Sequence, residues 1–154
     1  MMTEVRKKVL FVCTGNSIRS QMAEGLLKAL GSGQWKVQSA GVIQSYVHPL
    51  ATRAMEEIGI DISQQTSKSM DQFVNDNFDY VITLCDHAAK FCPTFGGQGK
   101  QFHWPFEDPA GATGTMEERL VAFRRIRDGI KRRIEEFLKS ESFEIPDAIA
   151  SFKF

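Results

Sequence analysis

Apolar and polar positions fall into blocks that spell strands and helices in turn. Lys7 to Val12 is unbroken in apolar character from Val9 onward, the mark of a strand buried on both faces. Met22, Leu26 and Leu30, with Ala23 and Leu27 beside them, recur at helical spacing, and Gly31 and Gly33 close that helix. Trp35 to Ala40 predicts a second strand, stopped at Gly41. Pro49 to Ile58 predicts a helix, with proline in its first turn and Gly59 after it. Ser69 to Asn75 predicts a short helix, Phe78 to Leu84 a third strand, and Ala88 to Phe91 another helical stretch. A glycine-rich loop, Phe95 to Lys100, leads to a short fourth strand over Gln101 to Trp104. The clearest element is the last helix, where Leu120, Phe123, Ile126, Ile130, Ile134 and Phe137 step by three or four residues. Its arginines and lysines, mixed with Glu117, Glu118, Glu135 and Glu136, read as a solvated face.

Strands alternating with helices predict an α/β fold with a mostly parallel sheet, in which functional loops gather beyond the carboxyl ends of the strands. No repeat or linker divides the chain, so residues 1–140 read as a single domain. Residues 141–154 form a C-terminal tail, bearing Phe143, Ile145, Ile149, Phe152 and Phe154, that the pattern does not place.

Composition narrows the class. Nineteen basic and nineteen acidic residues cancel, so no bulk field favours nucleic acid or an acidic membrane surface. No apolar run reaches the roughly 18 residues that span a bilayer. The apolar stretch after Lys8 is too short for a secretory signal, which leaves a cytoplasmic address as the expectation. Three cysteines, Cys13, Cys85 and Cys92, cannot all pair within one chain and do not make a disulfide scaffold. They are either buried and inert or chemically used.

Cys13-Thr14-Gly15-Asn16-Ser17-Ile18-Arg19-Ser20 joins the first strand to the first helix. Successive backbone N–H groups in such a loop form an anion nest, and the helix that follows adds its positive N-terminal end. Gly15 permits unusual backbone angles, and Arg19 adds a planar fork of donors matched to a tetrahedral oxyanion. The same field favours thiolate at Cys13, a nucleophile aimed at the bound central atom. Expelling an oxygen from that atom calls for an acid. His103-Trp104-Pro105-Phe106-Glu107-Asp108-Pro109 is the source, with Glu107 and Asp108 as neighbours and aromatic side chains able to desolvate a carboxyl. A zinc site from Cys85, His87, Cys92 and His103 matches no common spacing, and no metal is expected. His48, isolated before a proline, reads as a surface turn residue.

The loop Cys13 to Ser20 resembles the phosphate-binding loop of the low-molecular-weight protein tyrosine phosphatase superfamily, which includes the thioredoxin-coupled arsenate reductases. Ser39-Ala40-Gly41 and Val81-Ile82-Thr83-Leu84-Cys85 fit the same pattern, and the resemblance runs from about Val9 to about Phe137. It implies a four-stranded parallel sheet in the order 2-1-3-4 with helices on both faces. It implies that Thr14, Gly15, Asn16, Ser17, Ile18, Arg19 and Ser20 bind the oxyanion, and that Asp108, before Pro109, is the general acid. The reductase arrangement places a cysteine after the third strand and another seven residues on, as Cys85 and Cys92 stand here. Phosphatases of the superfamily usually carry a tyrosine pair after the Asp-Pro, where this chain has Ala110-Gly111.

The implied reaction is reduction of arsenate to arsenite, with phosphate or sulfate as competing oxyanions. Cys13 attacks, Cys85 then attacks Cys13, and Cys92 attacks Cys85, leaving a Cys85–Cys92 disulfide that thioredoxin reduces, with no bound cofactor. A phosphatase and a non-catalytic oxyanion or thiol sensor are the alternatives. Seven residues of helix separate Cα atoms by about 10.5 Å, whereas a disulfide tolerates about 7 Å, so the segment from Cys85 to Cys92 must unwind on oxidation. By the same resemblance Asn16, Glu24, Ser39, Thr66 and Lys68 support the loop where some reductases bind potassium. Lys68 stands in place of an aspartate there, so an ammonium is expected to replace the ion and activity is expected not to depend on potassium.

Overall fold

The structure is a computed structural model that describes residues 7–93 and 99–141. Four parallel strands, β1 (Lys7–Cys13), β2 (Trp35–Gly41), β3 (Tyr80–Thr83) and β4 (Lys100–His103), form one sheet in the order β2-β1-β3-β4. Between and after them come α1 (Arg19–Leu30), α2 (Pro49–Glu56), α3 (Asp86–Phe91) and α4 (Met116–Ser140). This is the sheet order that the resemblance implies. Val9 through Cys13 are all buried because β1 is flanked by strands on both sides. The chain leaves β1 for β2 on one side and returns to β3 on the other. The crevice beyond the carboxyl ends of β1 and β3 is therefore the topological switch point.

Helix α4 buries the expected stripe, Leu120 through Phe137, against α1 and α2 and over an aromatic cluster of Trp35, Tyr80, Phe102 and Trp104. A reciprocal capping box starts it: the Thr115 hydroxyl accepts from the Glu118 N–H and the Glu118 carboxylate accepts from the Thr115 N–H. Its basic face is not uniformly solvated. Arg127 is buried, donating to the Ala54 carbonyl at 2.8 Å and to Glu57 at 2.9 Å, and Arg124 forks onto the same carboxylate. The Arg124 hydrogen bonds, helped by Arg127, hold the Glu57 carboxyl down at about 2. Two arginines that periodicity assigns to solvent thus bolt α2 to α4.

Other boundaries shift with their caps. The segment Ser69 to Asn75 forms only a 3-10 turn over Met70–Phe73, begun by the Ser69 hydroxyl. The α2 helix ends early, because the chain turns at Gly59 with a φ of 79°. His48 is no bare surface turn. Its Nδ1 accepts from the Leu50 N–H at 3.0 Å, its ring lies 5.0 Å from Phe123, and burial holds its pKa below the ordinary value. Most of the glycine-rich loop and the tail lie outside the described residues. Glu141, at the end of α4, accepts from the Tyr80 hydroxyl at 2.6 Å.

Candidate active site

Cys13 ends β1 and Arg19 begins α1, so the loop between them is clamped by a strand at one end and a helix at the other. Every carbonyl from residue 13 to 18 is turned outward and occupied. Cys13 O accepts from the Val42 N–H, Thr14 O from Ile43, Ser17 O from His48 and Ile18 O from Met22. The Ser67 hydroxyl donates to Gly15 O and the Gln21 amide to Asn16 O, both at 3.0 Å. Among the described residues no protein group accepts from the N–H groups of residues 14 to 19. Six peptide units with their oxygens tied outward leave their N–H groups for the concavity, which is what an anion nest requires.

Asn16 is the strut of this loop. It is fully buried with a φ of 50°, a region that asparagine tolerates better than most residues. Its Nδ2 donates to the Ser20 hydroxyl at 2.7 Å, and its Oδ1 accepts from the Lys68 N–H at 2.8 Å and from Gln21 at 3.0 Å. Ser20 Oγ, which accepts from Asn16, lies 2.8 Å from the Cys13 sulfur, and its own hydrogen is available to a thiolate there. At Gly41 a Cβ would sit 2.7 Å from the Asn16 nitrogen, so β2 can lie this close to the loop only with glycine there. Gln21, Gln65 and Ser67 were not legible as site residues. They are polar side chains whose partners come from distant segments: Gln21 donates to the Thr66 carbonyl, and Gln65 to Gln21.

Arg19 is 8% exposed. Its Nη1 donates to the Phe106 carbonyl at 3.0 Å and its Nη2 lies 3.8 Å from Asp108, while the buried Nε has no hydrogen-bond partner among the described residues. The Phe106 N–H is held by the Leu84 carbonyl, which draws the segment after β4 across the end of β3. That crossing sets Asp108, rather than Glu107, beside the arginine. Glu107 points away to Arg125 at 3.9 Å. The desolvation expected around Asp108 is not there: its side chain is 54% exposed and accepts from the Ala110 N–H at 2.9 Å.

Cys85 caps the N-terminus of α3. Its sulfur accepts from the Ala88 N–H at 3.3 Å and lies 3.3 Å from the Thr14 hydroxyl, so it faces the loop that holds Cys13. Cys92 caps the other end, where burial pushes its thiol pKa up. The helix therefore begins at Asp86, two residues before the expected start, because a thiol serves as the cap. Of its six residues only Ala88 is buried. All three cysteines are free. The zinc arrangement has no geometry behind it: His87 lies 3.4 Å from the Thr14 hydroxyl, while His103 bridges Thr83 and Asp86 at 2.8 Å each.

Behind the loop, the support residues do lie together, but their oxygens already have cationic or polar partners. Lys68 Nζ donates to the Thr66 carbonyl at 2.8 Å. The buried Glu24 carboxylate takes the Ser39 hydroxyl on one oxygen and the Lys28 ammonium on the other. Burial pushes the Lys68 pKa below its ordinary value, and Glu24 opposes that shift. Two ammonium groups leave this oxygen set a poor fit for potassium.

The family model for low molecular weight phosphotyrosine protein phosphatase matches residues 8–144. The chain belongs to this family. Within the low molecular weight phosphatase family, similar proteins include an arsenate reductase of Halalkalibacterium halodurans, 50% identical over 135 residues that make up 88% of this chain and 97% of the relative. A solved arsenate reductase in the phosphate binding state superposes with a TM-score of 0.77 at 44% identity, covering 88% of this chain and 99% of the other. A solved arsenate reductase in the oxidized state gives 0.76 at 43% identity, with the same coverage. Among the described residues no helix is long and apolar enough to cross a membrane, and no cluster of His, Cys, Asp or Glu forms a metal site.

Proposed function

We propose that this chain reduces arsenate to arsenite. The observation that carries the reading is the pairing of an outward-tied anion loop around Cys13 with a second sulfur, Cys85, turned toward that loop through Thr14. An ester hydrolase needs the first sulfur alone, whereas a two-electron reduction needs the second as well. The Arg19 Nε, without a hydrogen-bond partner among the described residues, and the loop N–H groups supply donors for the oxyanion. The Cys13 sulfur, receiving the Ser20 hydroxyl hydrogen, attacks arsenic as a thiolate. An As–S bond forms, and Asp108 gives its proton to the departing oxygen.

The Cys85 sulfur then attacks the Cys13 sulfur. The S–S bond forms as the S–As bond breaks, and its electron pair stays on arsenic, which leaves as arsenite. Cys92 attacks Cys85, freeing Cys13 and leaving a Cys85–Cys92 disulfide. An external dithiol protein of the thioredoxin class returns this disulfide to two thiols. A cytoplasmic setting suits the three free cysteines. Phosphate and sulfate compete for the same donors.

The test is arsenite release with thioredoxin, thioredoxin reductase and NADPH. Cys85→Ser and Cys92→Ser should each abolish multiple turnover. Retained turnover in either variant, or phosphoester hydrolysis in place of arsenate reduction by the wild type, would refute the reading.

A further inference from the structure

His87 has no part in the reaction above, yet it stands one hydroxyl away from a sulfur that does. Its Nδ1 lies 3.4 Å from Thr14 Oγ1, and the same oxygen lies 3.3 Å from Cys85 Sγ. The imidazole is set by its own helix: the Phe91 ring, one turn on, meets it edge-on with centroids 4.9 Å apart. The charged neighbours on that helix are engaged elsewhere. Asp86 is bound to His103 at 2.8 Å, and the Lys90 ammonium lies over Phe91. From the loop, Thr14 is the group that faces His87, and Cys85 stands behind Thr14.

We propose that His87 is the proton acceptor for Cys85, acting through the Thr14 hydroxyl. A hydroxyl has one hydrogen to give, and this fixes the two states of the chain. With neutral His87 the Thr14 hydrogen points to Nδ1, and the Cys85 thiol donates to Thr14 Oγ1. With protonated His87 the Nδ1–H donates to Oγ1, which turns the hydroxyl hydrogen onto the Cys85 thiolate. Passing from the first state to the second moves one proton from thiol to imidazole and leaves net charge unchanged. The thiolate so formed attacks the Cys13 sulfur. The imidazolium releases its proton to water, because His87 is exposed. His87 thus acts on the second thiol and not on the first, a division within the cascade proposed above, on which this inference rests.

The experiment uses the full chain in single turnover, with pre-reduced enzyme in excess over arsenate and arsenite release followed as a function of pH. His87→Gln keeps a polar side chain but cannot titrate. It should slow arsenite release by about 100-fold, the low end for general-base catalysis, and flatten the rise of the rate with pH. Competitive inhibition by phosphate should stay as in the wild type, since the loop donors are untouched. Equal rates and equal pH profiles in the two proteins would overturn the relay. So would weaker phosphate inhibition in the variant, which would mark His87 as a prop for the loop. No arsenite from the wild type would instead overturn the reductase reading, and the relay with it.

Discussion

The anion loop and the helix that follows β3 face each other across a few ångströms and are built in opposite ways. In the loop every carbonyl from Cys13 to Ile18 has a partner, drawn from four separate segments of chain. Helix α3 is six residues long, buries one of them, and has a cysteine as each cap. Binding a small anion rewards geometry fixed in advance, because ordering donors at the moment of binding costs affinity. Passing oxidation from one sulfur to the next rewards a segment that can rearrange. Both demands are met by how many ties the backbone has.

The contrast breaks first at Asn16. Asn16→Ala removes the strut and leaves the Ser20 hydroxyl, the Lys68 N–H and the Gln21 amide short of a partner. Arsenate reduction should fall about 10- to 100-fold in kcat/KM, as expected for misplacement near 1 Å, and stability by about 3 kcal/mol. Steady-state kinetics and denaturant unfolding check this. Unchanged kinetics would mean that the loop does not depend on its struts. A change without any loss of stability comes from hydrogen exchange. In the reduced protein the amides of residues 87–91 should exchange about 100-fold faster than those of α1, and oxidation should remove what protection they have. Equal protection in the two redox forms would rule out unwinding of α3. The smallest effect is expected from potassium. With Lys68 and Lys28 supplying ammonium groups, replacing sodium by potassium at constant ionic strength should change activity less than about twofold. A several-fold activation would restore an ion to that region.

How much of this was legible follows from which partners are local. The stripe of α4 and the solid apolar run of β1 announce themselves, since one periodicity decides each. The nest from Cys13 to Ser20 was legible for the same reason: strand, small residues and helix are consecutive. The struts were not. Gln21 and Gln65 lie 44 residues apart, and nothing local distinguishes a buried glutamine from a solvated one. Arg127 was misjudged on similar grounds, because its partner Glu57 lies 70 positions away. The carboxylate beside Arg19 came from resemblance. Local chemistry left Glu107 and Asp108 level, and the tie from Leu84 to Phe106 is what separates them.

The chain of Thr83, His103 and Asp86 bears on the direction in which α3 can travel. Thr83 and His103 belong to adjacent strands, and the imidazole holds the first residue of the helix to them. No comparable tie from the sheet holds Lys90 or Phe91 among the described residues. The helix is thus pinned at its beginning, like a door on its jamb, and the free edge carries Cys92. On the reaction proposed above, Cys92 is then the sulfur that travels as the helix unwinds, and Cys85 the one that stays near the sheet.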